Sequence, residues 1–245
     1  MIAFSSLGAL MVLVGRWVGR AYCSGVSVTV RPREERVEWS CVWLRGSDAA
    51  SFAQGQLTQD VTSGDGARAA VLQPDGSLLA AGVVRVVPDG VGLVVPTELG
   101  DAVASRLRRF RLRAAVDIDV VDGAESPWPT WAHLVDDVWP GPREAAAGLS
   151  PAAYGADFVH RAVSFTKGCY TGQELVARLE ARGAHVPFRL VRLRGDDPDA
   201  LDASLREGPS GPTGLTTVVA EGTSFAALGI AHRSWAPADE GGSRR

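Results

Sequence analysis

The chain has 245 residues, enough for one large domain or two small ones, and 46% hydrophobic against 22% charged residues, which excludes a disordered or collagen-like chain. A formal charge of -3 gives no overall pull toward nucleic acid or an anionic membrane, so no direct nucleic-acid partner is expected. Three cysteines, Cys23, Cys41 and Cys169, odd in number and far apart, exclude a disulfide framework and a paired-cysteine metal knuckle, and point to a reducing, cytoplasmic setting.

Residues 1–36 read differently from the rest. Ile2 to Val14 is apolar but too short to span a bilayer, and its basic neighbours, Arg16 and Arg20, follow it, where a secretory signal would want them before it. We therefore expect an N-terminal arm that is disordered or stems from a start placed too far upstream, ending in the solvated RPREER at 31–36, with no stable membrane association. From Glu38 the period is legible. Val42 and Leu44 alternate as in a strand, and Ser47 and Asp48 offer an N-cap for a helix to about Leu57. Arg68–Gln73, Leu78–Val87 and Val91–Val95 are β-rich runs joined by Pro74-Asp75-Gly76 and Pro88-Asp89-Gly90, which predicts tight turns and an antiparallel meander. Leu99, Val103, Leu107 and Phe110 then lie on one helical face, and Ala115–Val121 alternates as a strand. The order β-α-β-β-β-α-β predicts an α+β layer with helices on one side of a sheet.

Residues 122–150 are rich in Pro, Gly and Trp without sustained period and read as a linker or irregular crossover, with Trp128, Trp131 and Trp139 as packing anchors. Helices are expected within Ala152–His160 and from about Gly172 to Arg182. His185–Arg194, Gly214–Ala220 and Phe225–His232 read as strands of a small barrel or a sheet extension, and 236–245 as a frayed tail.

The most specific stretch is Ser164-Phe165-Thr166-Lys167-Gly168-Cys169-Tyr170-Thr171-Gly172-Gln173-Glu174-Leu175. Thr171 and Glu174 have capping-box spacing, which would give Glu174 a structural role. Cys169 stands two residues before that cap and two after Lys167, the one lysine of the chain against 24 arginines, where a helix dipole and a cation favour thiolate. The bland alternative is a small buried hydrophobe.

KGCYTGQE followed by ARLEARG resembles the signature of the YgfZ family of folate-binding proteins, relatives of the glycine-cleavage T-protein, an aminomethyltransferase. Leu44–Phe52 with Gln56–Val61, Leu72–Gly76, Arg109–Arg113 and Thr213–Thr217 are similar to further family segments, so the resemblance covers roughly residues 39–235. It implies a T-protein-like folate-binding fold of mixed and antiparallel sheets with packed helices and a small C-terminal β-barrel-like segment. The implied division is an arm at 1–36, a folate-binding region at 37–184, a β segment at 185–235 and a tail at 236–245. The resemblance also implies tetrahydrofolate as cofactor, no permanently bound metal, and iron-sulfur apoproteins or assembly proteins as partners, reaching tRNA-modifying enzymes through them. Cys169 would be the functional thiol with Lys167 lowering its pKa, and Tyr170, Gly172, Gln173, Glu174 and Arg178 would bind the cofactor.

Two departures stand out. Ala80 and Ala81 occupy the positions of the T-protein's aspartate pair, leaving no carboxylate for acid-base work, so the alternative reading, a folate-dependent aminomethyltransferase, is disfavoured. The pterin-contacting segment maps onto Trp139–Ala153, is shortened, and offers only Glu144 as an acidic anchor. A cysteine hydrolase using Cys169 with His160 or His185 lacks any ordered signature, and the dispersed histidines do not make a metal site.

Overall fold

The computed structural model describes residues 28–183 and 185–236. Most of the expected arm, 1–27, lies outside them; its last residues do not behave as an arm. Strand β1 (Val30–Arg31) pairs in parallel with Val218 and Val219. Arg33 bonds Glu221 and, at 2.9 Å, Asp136, and the guanidinium of Arg31 lies over Trp131. The RPREER stretch is thus part of the fold, because Arg33 finds two carboxylates far along the chain and Arg31 packs on Trp131.

Strand β2 (Trp39–Arg45) leads into helix α1 (Ala49–Gln56). Strands β3 (Arg68–Leu72), β4 (Leu78–Val87) and β5 (Gly90–Pro96) form the antiparallel meander, with both Pro-Asp-Gly tripeptides at its turns. At the first turn the Gly76 amide donates to Gln73 O at 2.9 Å and Asp75 accepts from the Ser77 amide, so the turn is closed by its own residues. Helix α2 (Thr97–Phe110) and strand β6 (Asp117–Asp122) complete a five-stranded sheet of order β3-β4-β5-β2-β6. Alternation decides its two faces. Val42, Leu44, Ala80, Val84, Leu93 and Val95 pack with α1 and α2; Trp39, Cys41, Ala81, Val83 and Val94 point to the opposite side.

That opposite side is covered by the segment expected to be a linker. Helices α3 (Trp131–Asp136) and α4 (Pro142–Ala146), a 3-10 turn at Pro151–Tyr154 and helix α5 (Ala156–Ala162) form a middle layer. Its aromatic pile is continuous: Trp39 to Trp128 at 5.8 Å, Trp128 to Trp139 at 4.7 Å, Trp139 to Phe158 at 5.0 Å. The three tryptophans are buried anchors, as composition predicts, and rings of this size make up for the missing periodicity.

Helix α6 (Gln173–Ala181) precedes the second sheet, built from β7 (Phe188–Gly195), β8 (Gly214–Glu221) and β9 (Ser224–His232) in the order β1-β8-β9-β7. The C-terminal strands thus form, with β1, a sheet separate from the first. Helix α7 (Pro198–Arg206), which the sequence reading left out, packs on its outer face through Leu205 and is capped by Asp197, whose carboxylate accepts from the Asp199 and Ala200 amides. Among the described residues no helix is long and apolar enough to cross a membrane.

Candidate functional site

The signature stretch is held by two earlier parts of the chain. Thr58, fully buried, donates from Oγ1 to Ala162 O at 2.6 Å and accepts from the Ala70 amide at 2.8 Å, and its carbonyl receives the Ser164 amide. Gln59 reaches Arg161 O at 3.2 Å. The Gln56–Val61 turn therefore lies along residues 161–167. Beyond it, the Thr171 amide donates to Gly55 O and the Thr171 hydroxyl to Gln56 Oε1 at 3.3 Å. Gln56 Oε1 also accepts from Arg106 Nη1 at 2.5 Å, while Arg106 Nε donates to Leu72 O at 3.1 Å.

Gly172 seats this arrangement. Its φ of +85° is open to glycine, and a Cβ there would stand 2.8 Å from Gln73 O and 2.9 Å from Leu72 Cβ. A Cβ on Gly76 would come within 2.6 Å of Leu175 Cβ. The start of α6 is thus pressed against the β3–β4 hairpin with no spare methyl's width. This is why the expected capping box does not form: Gly172 is the N-cap, and it has no side chain to cap with. The Thr171 hydroxyl is directed to Gln56, leaving Glu174 exposed and free of a structural bond among the described residues.

Lys167 and Cys169 point to different tasks. The Lys167 ammonium donates to Leu57 O at 2.8 Å and Gln59 O at 3.0 Å and lies 5.3 Å from the centroid of the Tyr170 ring. Burial lowers its pKa to about 8 against the opposing pull of Asp60. Its bonding therefore serves the Leu57–Gln59 turn, and it acts as a clamp on the loop. Tyr170 is buried, and burial raises its phenol to about 12. Cys169, between these two fixed side chains, is exposed. Phe165, also exposed, and Thr166 and Gly168 share that surface.

The cofactor residues expected from the signature fall into two groups. Tyr170 is buried in the frame, and Gly172 is half-buried with no room for a Cβ where it meets the hairpin. Gln173, Glu174 and Arg178, on the first turns of α6, are half-buried or exposed. An amide, a carboxylate and a guanidinium are the donors and acceptors that a pterin edge and a glutamate tail require, so the donor set fits a reduced folate. Three clefts of about 640, 470 and 510 Å³ lie elsewhere, and none is lined by residues 164–178. Glu144, the expected pterin anchor, is wholly buried: its carboxylate accepts from the Gly141 amide at 2.9 Å and the Thr217 hydroxyl at 2.8 Å, tying α4 to β8. It is committed to structure. Ala80 and Ala81 are buried on opposite faces of the five-stranded sheet.

His160 and His185 are exposed, and no side-chain hydrogen bond joins either to Cys169 among the described residues. Nor do three or more His, Cys, Asp or Glu side chains gather there as a metal-binding group. What sequence reasoning missed is the supporting set of Gln56, Thr58, Gln59 and Arg106. The first three belong to a recognisable segment, but only the fold brings them to the signature.

No family model matches the chain. It is 25% identical over 192 aligned residues to an uncharacterised protein of Haemophilus influenzae, covering 60% of this chain and 68% of that one. It is likewise 25% identical over 219 residues to a protein of Sodalis glossinidius named tRNA-modifying protein YgfZ, covering 60% and 67%. A solved structure, the glycine cleavage system aminomethyltransferase T from Bartonella henselae, aligns with a TM-score of 0.48 at 12% identity, over 94% of this chain and 90% of that one. The chain is thus similar in sequence to a protein named tRNA-modifying protein YgfZ, whose family its signature resembles.

Proposed function

We propose that this chain binds tetrahydrofolate and supports assembly or repair of iron-sulfur clusters, and through them tRNA-modifying enzymes, without carrying out aminomethyl transfer. The observation that carries the reading is the signature loop itself: an exposed thiol at Cys169 on a backbone fixed at both sides by Lys167 and by the Thr171–Gly172 seat, beside the free polar groups of α6. A thiol so presented can meet a partner's cluster or cysteine without the loop first having to order, which lowers the entropic cost of the encounter. Gln173, Glu174 and Arg178 would hold the folate, with Tyr170 and Gly172 setting the position of that turn. The folate supplies a reduced pterin able to carry a one-carbon unit; the protein's part is to bind and orient it.

Against the transferase reading stand Ala80 and Ala81, which offer no group to move a proton. Residues 37–184 would carry the folate function and the C-terminal sheet would support it. Calorimetric titration with tetrahydrofolate or its 5-formyl form should give saturable binding with Kd on the order of micromolar to sub-millimolar. Glu174→Ala and Arg178→Ala should weaken it while thermal unfolding stays unchanged. Absence of binding at millimolar folate would end the folate reading. Ammonia release from an aminomethylated lipoyl carrier at about 1 per second would restore the transferase.

A further inference from the structure

The segment Arg106-Leu107-Arg108-Arg109-Phe110-Arg111-Leu112-Arg113 carries five arginines in eight residues, and the signature site uses only Arg106. Arginines supply all eleven ion pairs found among the described residues, yet none of these five takes part. Asp48, the carboxylate that reaches this turn, is occupied by the Ala115 amide at 2.8 Å. Arg108 and Arg109 close α2, where a cation suits the helix dipole. Arg111 is the C-cap of that helix, whereas Arg113 lies beyond it, where the dipole does not account for a cation.

The turn is ordered as well as charged. Arg108 donates to Ile118 O at 2.7 Å and Arg111 to Val116 O at 3.4 Å, which fixes two guanidinium groups at the surface without neutralising them. Between Arg111 and Arg113 stands Leu112, 88% exposed, with a φ of +43°. A leucine in the left-handed region is strained, and here it contributes nothing to the protein's own core. An apolar knob ringed by arginines is the composition of a protein-protein contact, where Arg is enriched and an apolar centre is screened by a polar rim. A surface for single-stranded nucleic acid would offer an aromatic face for base stacking. The one ring in the segment, Phe110, lies instead beneath the Arg106 guanidinium, 4.1 Å from its carbon.

We propose that residues 108–113 form a docking surface for an acidic protein partner that offers an apolar contact at its centre. The rest of the chain carries an excess of negative charge, since the whole sums to -3 with this cluster included. Charge complementarity would therefore orient the partner toward this one turn. The inference is independent of folate binding.

The full chain can be titrated by fluorescence anisotropy at low salt with a labelled peptide alternating Glu and Leu, with a polyglutamate peptide of equal charge, and with an oligouridine RNA. The alternating peptide should bind most tightly, with Kd on the order of 10 to 100 µM. Arg109→Ser with Arg113→Ser should weaken it about tenfold, and Leu112→Ser about threefold, with the polyglutamate affinity left unchanged by the latter. All three positions are exposed, so unfolding temperatures should match the parent's. Tighter binding of the RNA, indifference to Leu112→Ser, or no saturation at millimolar protein would each overturn the proposal.

Discussion

Gly172 and Gly76 face each other where the signature turn meets the β3–β4 hairpin, and neither has room for a methyl group. Gly172→Ala must adopt a φ of +85° and displace backbone at Gln73, so we expect a loss of about 3 kcal/mol and a fall in Tm of roughly 6–12 °C by calorimetry. Lys167 gives a sharper test, because its proton is linked to stability. Its pKa is about 8 when folded, against 10.5 for the ordinary side chain. Between those values the unfolded chain holds a proton that the folded chain has released, so stability gains a contribution that rises with pH across the window and is flat below it. Lys167→Met should lose this rise. Denaturant titrations of both proteins at pH 7, 8, 9 and 10 should show the parent gaining stability relative to the variant upward from pH 8; a constant difference would mean that burial does not govern this ammonium. Cys169 and Cys41 should separate in their labelling. Cys41 is buried and its thiol is pushed up to about 12, so iodoacetamide should label Cys169 in the native protein and Cys41 only after unfolding, as read by peptide mass.

At the scale of elements, Arg106 is the joint on which α2, β3, α1 and the signature meet. It is 1% exposed, and burial, then the Arg109 charge, lower its pKa to about 10. Arg106→Ala would leave Leu72 O without its donor and a cavity besides, a loss of about 3 kcal/mol or more; Arg106→Met, which fills the space without a buried charge, should cost clearly less. Urea unfolding of both variants decides the order. The strands around this joint were legible in the sequence because the two Pro-Asp-Gly turns punctuate them and alternation marks their faces. Helices α3 and α4 were not, being too short for an amphipathic period and rich in Pro, Gly and Trp. Helix α7 was hidden by its charged face, although Asp197-Pro198 is a helix start. At the site, the motif identified the right loop. The capping box failed because local spacing cannot register a hairpin from a hundred residues earlier, pressing on Gly172.

For the molecule as a whole, residues 28–36 decide how the second sheet is closed. Besides the two-residue pairing of β1, the Trp131 amide donates to Glu35 O and Arg36 bridges to Thr130, so this short segment touches both the middle layer and β8. A chain beginning at residue 37 should therefore melt below one beginning at 28, by about 5–10 °C, equivalent to roughly 2–3 kcal/mol in a protein this size. Equal melting would show that the segment contributes no net stability. The pairing also has a consequence in time. Arg33 and its partner Glu221 are 188 residues apart, and β1 meets β8 at nearly the same separation. At about 5–20 residues per second, the ribosome must work for on the order of 10 to 40 s between releasing β1 and releasing the strand that receives it. During that interval the five-stranded sheet and the middle layer that covers it, all made within residues 39–162, can come together, while Val30 and Arg31 wait unpaired. The parallel pairing thus waits for a strand made long after the first sheet, and slowing translation only beyond residue 162 should prolong the susceptibility of this segment to proteolysis without delaying that sheet.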